Sequence, residues 1–329
     1  MRAGMLPSPV EMTIEEQQAI TLLSGSTGGV RSALNALNGS LLVQSFQNDS
    51  YVWRYKHPTI RDAFASLIAE DTELMDIYLT GTPVEKLFRE VSCGDVGIEG
   101  VKVIVPSARF EALMNRMEVL SSKEQESKGT LHWFLSHRCD KEFLTRYIRR
   151  NPLFIPNLHV GSYLYAVSDV DVIVRLHEFG LLPEQKRLDV IGAIRELAVD
   201  TPDSGFLQKG VRDIFAKAEF KDILEHVRSI LLPNLDKKIR DWRWNYNGED
   251  DPDGYFSELK WALENFRDEF AYSEDAVSYL TVALKEIEEI IEELRSEQPE
   301  EPDSDDYYGR SSTGREHDDL RSIFDDVDQ

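Results

Sequence analysis

The chain has 329 residues, 41% of them hydrophobic and 10% aromatic, enough to bury a core in two or three domains or in one extended repeat array. Its formal net charge of −23 counts against tight binding to a nucleic-acid backbone, which needs clustered positive charge. No apolar run approaches a membrane span, Met1–Glu11 lack the basic start and apolar centre of a signal peptide, and Cys93 and Cys139 are the only cysteines. The expected compartment is a reducing cytoplasm, with no disulfide framework and no metal cluster.

Residues 1–11 read as a lead-in. Thr13, with Glu16 three residues later, has the spacing of a capping box for a helix running to Leu23, and Ser24-Gly25-Ser26 stops it. A second helix over Thr27–Leu37 carries Val30, Leu34 and Leu37 on one face, and Asn38-Gly39 ends it. Ser40–Gln47 reads as a strand, Asn48-Asp49-Ser50 as a turn and Tyr51–Lys56 as the second strand of a hairpin. In that second strand Tyr51, Trp53 and Tyr55 alternate with Val52, Arg54 and Lys56, the period of two of a half-exposed strand. Pro58 then sets φ where a third helix begins, and Ile60, Phe64, Leu67 and Ile68 continue at helical spacing to about Ala69. His57 is thereby held at a rigid strand-to-helix corner. Helix, helix, strand, turn, strand, helix is the order of a winged-helix module, expected over residues 12–80.

Residues 81–106 read as a connector. Short helices are expected over Asp71–Leu79 and Pro83–Val91, a glycine-rich break over Cys93–Gly100, and one isolated strand over Val101–Val105. Ser107 is expected to cap a helix that opens an array over residues 107–296. The candidate helices there are 107–119, 122–136, 139–150, 169–179, 183–198, 207–216, 217–229, 232–246, 254–271 and 274–296. The β-branched run Val170–Val174 suits a strand, but Leu176 and Phe179 extend a helical stripe up to Gly180. Successive helices without strands imply an irregular, solenoid-like α-array, since no clean repeat period is present. Residues 297–329 form an acidic tail. Its first part, Gln298–Arg315, has the composition of a disordered segment, while Leu320, Ile323, Phe324 and Val327 make a short apolar stripe fit for docking.

The chemistry-bearing motifs are sparse. Gly25–Ser32 comes nearest to a phosphate-binding loop but lacks its lysine and lies between helices rather than after a strand. Asp203, Glu219 and Lys221 have the spacing of a metal-dependent nuclease motif, but they sit among helix-forming residues. His132 and His137 are five apart, the wrong spacing for zinc on one helix face, and His159, His177 and His226 are solitary. Two basic stretches, Arg138 to Arg150 and Lys237 to Arg243 with Trp242 and Trp244, read as solvated helix faces or as strand-gripping patches. As a DNA reader the second helix offers only Arg31, with Ser32, Asn35 and Asn38. The sequence nominates no catalytic residue and no metal ligand.

Asn38-Gly39-Ser40-Leu41-Leu42 and Tyr55-Lys56-His57-Pro58-Thr59-Ile60-Arg61-Asp62-Ala63-Phe64 resemble the winged-helix segment of STAND NTPases, signal-transducing ATPases of the wider AAA+ class. The type is similar to novel STAND NTPase 3 of bacteria. Gly161–Tyr165 and Arg321–Asp326 also look like the carboxy-terminal half of such proteins. The resemblance implies a role for His57 in contacting the β-phosphate of ADP held by an ATPase domain, and downstream helices that sense a trigger in antiviral or stress defence. This chain departs from the pattern in lacking a phosphate loop and a magnesium-binding acidic strand, and it starts about where the ATPase domain should end. The expectation is therefore a regulatory and sensor fragment, non-catalytic alone, with no cofactor of its own. ATP or ADP would come with a separate ATPase chain. A protein partner and self-association are expected; nucleic acid and membrane are not. His57 keeps a second reading as a residue that merely caps the helix or fixes the corner. The alternatives for the whole chain are a free-standing helical adaptor and, less favoured, a winged-helix DNA-binding regulator.

Overall fold

The computed structural model describes residues 14–22, 25–47, 50–97, 103–120, 126–164 and 168–297, and they are mainly α-helical. Helices α1 (Ile14–Leu22) and α2 (Thr27–Leu37) precede an antiparallel hairpin of β1 (Leu42–Gln47) and β2 (Ser50–Tyr55), paired from Leu42 with Tyr55 to Gln47 with Ser50. Helix α3 (Pro58–Glu70) follows directly. This is the element order expected. The first strand begins at Leu42 rather than Ser40, because the N–H groups of Ser40 and Leu41 are both spent on the Leu37 carbonyl at the end of α2. Gly39 sits at φ +83° in that turn, where a side chain would be strained. A small apolar core of Leu34, Leu42 and Trp53, flanked by Val30 and Tyr55, joins α2 to the hairpin. Leu37 lies outside it, 38% exposed, so the face expected to carry three apolar residues of α2 buries only its middle. Val52 and Trp53 are both 3% exposed although they point to opposite faces, so the middle of β2 is covered on both sides, while Tyr51 stays 49% exposed. The expected cap at Thr13 lies outside the described residues, as do the turn residues 48 and 49.

From Ile68 onward the apolar side chains form one cluster that extends to Leu294 and crosses residue 80 without a break. Asp71 caps α4 (Thr72–Gly81), accepting from the N–H of Glu73 and Leu74 at 2.8 and 3.0 Å. Helix α5 (Val84–Glu90) runs straight into β3 (Val91–Cys93), which pairs in parallel with β4 (Val103–Val105). A break and one isolated strand were expected here. Val91, Ser92 and Cys93 are fully buried, and buried amides must be paired. They find β4 on one edge and the segment around Cys139 on the other: Cys93 N–H donates to the Arg138 carbonyl (2.8 Å) and Asp140 N–H to the Cys93 carbonyl (2.9 Å). Ser107 does not cap a helix. It starts a single 3₁₀ turn after Pro106, and α6 is Phe110–Leu120. Helices α7 (Glu126–His137) and α8 (Lys141–Arg150) then close over the small sheet, with Phe88 stacked on Phe134 at 4.6 Å and Phe143 edge-on to Phe110 at 5.0 Å.

Val170–Val174 lies in helix α9 (Ser168–Glu178), whose Val170, Val172, Ile173 and Leu176 are buried. Gly180 (φ +66°) ends that stretch, with Leu181 N–H reaching the Leu176 carbonyl at 2.8 Å. Helix α10 (Glu184–Asp200) follows. The helix expected over 207–216 is instead a 3₁₀ turn, Gly205–Leu207, and the single turn α11 (Lys209–Arg212). The cause is Asp203, whose buried carboxylate takes the N–H groups of Leu164 and Gly205, both at 2.7 Å, and locks a turn into the core. Helix α12 (Lys217–His226) continues through a π-helical turn (Val227–Leu231) and a tight turn at Pro233 into α13 (Leu235–Asn245), so Pro233 bends a nearly continuous helical path. The last two helices, α14 (Pro252–Glu269) and α15 (Glu274–Glu297), pack on each other. The acidic tail and its apolar stripe lie outside the described residues.

Candidate functional site

The β2–α3 corner is built from both sides. Lys56 donates its N–H to the Leu41 carbonyl (2.9 Å) and its ammonium to the Gly39 carbonyl (2.7 Å), tying the corner to the α2–β1 turn. His57 is the N-cap of α3, at φ −140° and ψ 144°, with Pro58 in the first helical position. Its Nδ1 accepts from the Thr59 N–H at 3.2 Å and lies 2.7 Å from Thr59 Oγ1. An amide can only donate, so Nδ1 holds the lone pair and the ring proton is on Nε2. The His57 side chain is exposed, and Nε2 has no partner among the described residues. The two roles weighed for His57 are therefore compatible on one ring: one nitrogen caps the helix and the other remains a donor.

Between Ser50 and Arg61 the chain carries Arg54, Lys56 and Arg61 and no acid, against an overall charge of −23. Arg61 makes only a long contact, 3.4 Å, with its neighbour Asp62. Behind the corner Tyr55 lies against Phe64, with ring centres 6.1 Å apart, and its hydroxyl is buried without a hydrogen-bond partner. Burial, reinforced by the Glu90 charge, pushes that phenol up to about 12. Glu90 itself accepts from the Tyr78 hydroxyl at 2.9 Å. The corner supplies a donor and positive charge but no free amide cradle, since the Thr59 and Ile60 N–H groups are both taken by His57.

The other sequence candidates resolve into structural roles. Ser26 caps α2 by accepting from the Gly29 N–H at 3.1 Å, which uses an amide that a phosphate loop would need. Asp203 serves the turn described above. Glu219 pairs with Arg187 through two contacts at 2.7 and 2.8 Å and accepts from the Ala216 N–H, while Lys221 is exposed on the same helix; the three are not a metal site. Among the described residues no group of three or more His, Cys, Asp or Glu is placed to hold a metal. In the first basic stretch Arg146 pairs with Glu142, Arg150 pairs with Glu118 and Glu111, and Arg138 lies over the Trp133 ring at 5.2 Å. In the second, Lys238 faces Asp200, Arg240 Asp236, and Arg243 Glu293. Trp242 packs on Tyr255 and Phe256, but Trp244 is 89% exposed.

Two clusters had no signal in the sequence. His132 is buried with its Nδ1 2.9 Å from Asp169, which also meets Lys128 at 3.2 Å and accepts the His159 N–H at 3.0 Å. Burial pushes the His132 imidazole below its ordinary value. Burial works the other way on Asp169, but the His159 N–H, His132 and Lys128 hold its carboxyl low. Lys128 and His132 lie 41 and 37 positions before Asp169, so no local spacing announces them. Cys93 and Cys139, the chain's two thiols, meet across the β-bridge, fully buried, and burial pushes the Cys139 thiol well up. A buried thiol is a poor nucleophile, and both cysteines pack within the core.

Among the described residues no helix is long and apolar enough to cross a membrane. Comparison with known proteins finds no matching family, no matching curated protein and no matching solved structure.

Proposed function

We propose that this chain is the regulatory and sensor part of a STAND-type signal-transducing ATPase in prokaryotic antiviral or stress defence, and that it does not hydrolyse ATP alone. The observation that carries this reading is His57: it caps α3 through Nδ1 while leaving Nε2–H exposed, in a stretch of chain that also carries Arg54, Lys56 and Arg61. In this reading α1 to α3 and the hairpin form a winged-helix module, and the helices after residue 107 form an irregular solenoid-like sensor. The Nε2–H of His57 donates to a phosphate oxygen of ADP bound by a separate P-loop ATPase chain. Losing that contact frees the module to move. The missing amide cradle at the corner supports a divided site, because the second half must come from the ATPase.

The test is co-purification with a P-loop ATPase encoded by an adjacent reading frame, followed by measurement of retained ADP. A hydrogen bond to a charged group contributes about 1.5–3 kcal/mol, so His57→Ala is expected to weaken ADP retention by roughly ten- to a hundredfold. Unchanged retention in His57→Ala, or no ATPase in the complex, overturns the proposal. A free-standing helical adaptor is the second reading, favoured by the solvent-exposed Tyr279 and Val282 on α15.

A further inference from the structure

Helix α15 carries a second, exposed apolar face beside the one it buries. Leu280, Leu284, Ile287 and Ile291 are buried against the body. On another face Tyr279 and Val282 stand 55% and 65% exposed, and both line a groove of about 620 Å³ between α15 and the turn that leads into α13. The groove also meets Leu232 and Leu235, which are 3% and 4% exposed. Its volume lies in the range of sites that take a ligand or several side chains.

The charge of the lining narrows the occupant. Asp236, Asp275 and Glu286 line the groove, and among the described residues no cation does. Asp236 is met by Arg240 at 3.1 Å, whereas Asp275 and Glu286 have no ion-pair partner among the described residues. The nearest lysine in sequence, Lys285, pairs with Glu289 at 3.1 Å instead. The chain's own acidic end is a poor occupant: residues 296–329 hold twelve acids and three arginines, so it meets the rim with like charge. A second copy brings a further net charge of −23.

We propose that this groove is a docking site for an amphipathic segment of a protein partner, with one or two apolar anchors seated on Tyr279 and Val282 and flanking lysine or arginine paired with Asp275 and Glu286. The site does not depend on the nucleotide reading of His57, since a sensor and a free adaptor both need a partner surface and ADP retention does not report on this groove.

The experiment is selection of a random twelve-residue peptide library on the full chain and on two variants, Val282→Asp and Glu286→Lys, each checked for an unchanged melting curve. Tyr279→Ala replaces Val282→Asp should that variant melt early. The expected result is enrichment of peptides with an apolar residue flanked by Lys or Arg on the wild-type chain. Binding of the selected peptides should weaken at least tenfold in each variant and fall with added salt. Three results overturn the proposal: no enrichment over the variants, enrichment of acidic peptides matching residues 318–327, or a wild-type dimer in solution that Val282→Asp converts to monomer.

Discussion

At the scale of single residues, His57 is the position where two roles share one side chain and chemistry can separate them. Asparagine is among the best N-cap residues but has no counterpart to Nε2–H at that reach. His57→Asn should leave the stability of the chain within about 0.5 kcal/mol while His57→Ala, which loses the cap, costs about 1 kcal/mol, both read from urea denaturation midpoints. ADP retention should fall in both. Parallel loss of stability and ADP retention in Ala, with both restored in Asn, would reduce His57 to a cap. Gly94 gives a sharper local test. It sits at φ +75°, and a Cβ there would lie 1.9 Å from the Asp140 carboxylate oxygen. Asp140 is itself fixed by capping α8 through the Phe143 N–H at 2.7 Å. Gly94→Ala therefore meets strain and a clash together and should destabilise by about 2 kcal/mol or more, visible as a lowered melting temperature.

At the scale of elements, stripes of apolar residues with a defined stop were legible, and short buried pieces were not. Helix α9 was readable despite four β-branched residues because Leu176 and Phe179 kept the 3.6-residue period up to Gly180. Strand β3 was not, because three residues carry no period and its partners lie about 12 and 46 positions away. The turn at Gly205 is not legible in the sequence, because the force that makes it is a carboxylate bonding a backbone amide 39 positions away, not a local propensity. Asp203→Ala leaves the N–H groups of Leu164 and Gly205 without their acceptor, in a buried setting, and should cost about 2–4 kcal/mol; Asp203→Asn keeps acceptor oxygen and should recover part of it. Denaturant unfolding of both variants checks the order.

At the scale of the whole molecule, acid sensitivity follows from groups that tie elements together. Arg187 on α10 holds the Glu219 carboxyl of α12 down to about 2, first through its hydrogen bond. The unfolded chain takes up that proton near 4.5, so this contribution to stability is complete above 4.5 and is lost as pH falls toward 2. His132, pushed below 6.5 by burial, acts in the same direction from a higher starting point: the unfolded chain binds its proton first as pH drops below 6.5. Denaturation midpoints should therefore fall in two steps on the acid side. Glu219→Gln, which still accepts from the Ala216 N–H, should shrink the lower step, to which Asp169 also contributes, and leave the upper one.

By itself the sequence determined the mainly helical class, the helix–helix–strand–strand–helix order of the first 70 residues, and the corner that places His57, because each follows from periodicity, capping and proline chemistry within a few neighbouring residues. Only the tertiary structure decided that the His57 ring caps with Nδ1 and leaves Nε2 exposed, that Cys93 meets Cys139, that Asp169 gathers His132 and Lys128, and that α15 turns Tyr279 and Val282 into an acidic-rimmed groove. Those features depend on which distant segments fill each buried donor, acceptor and apolar face, and a pattern local in the chain carries no record of partners brought together by packing.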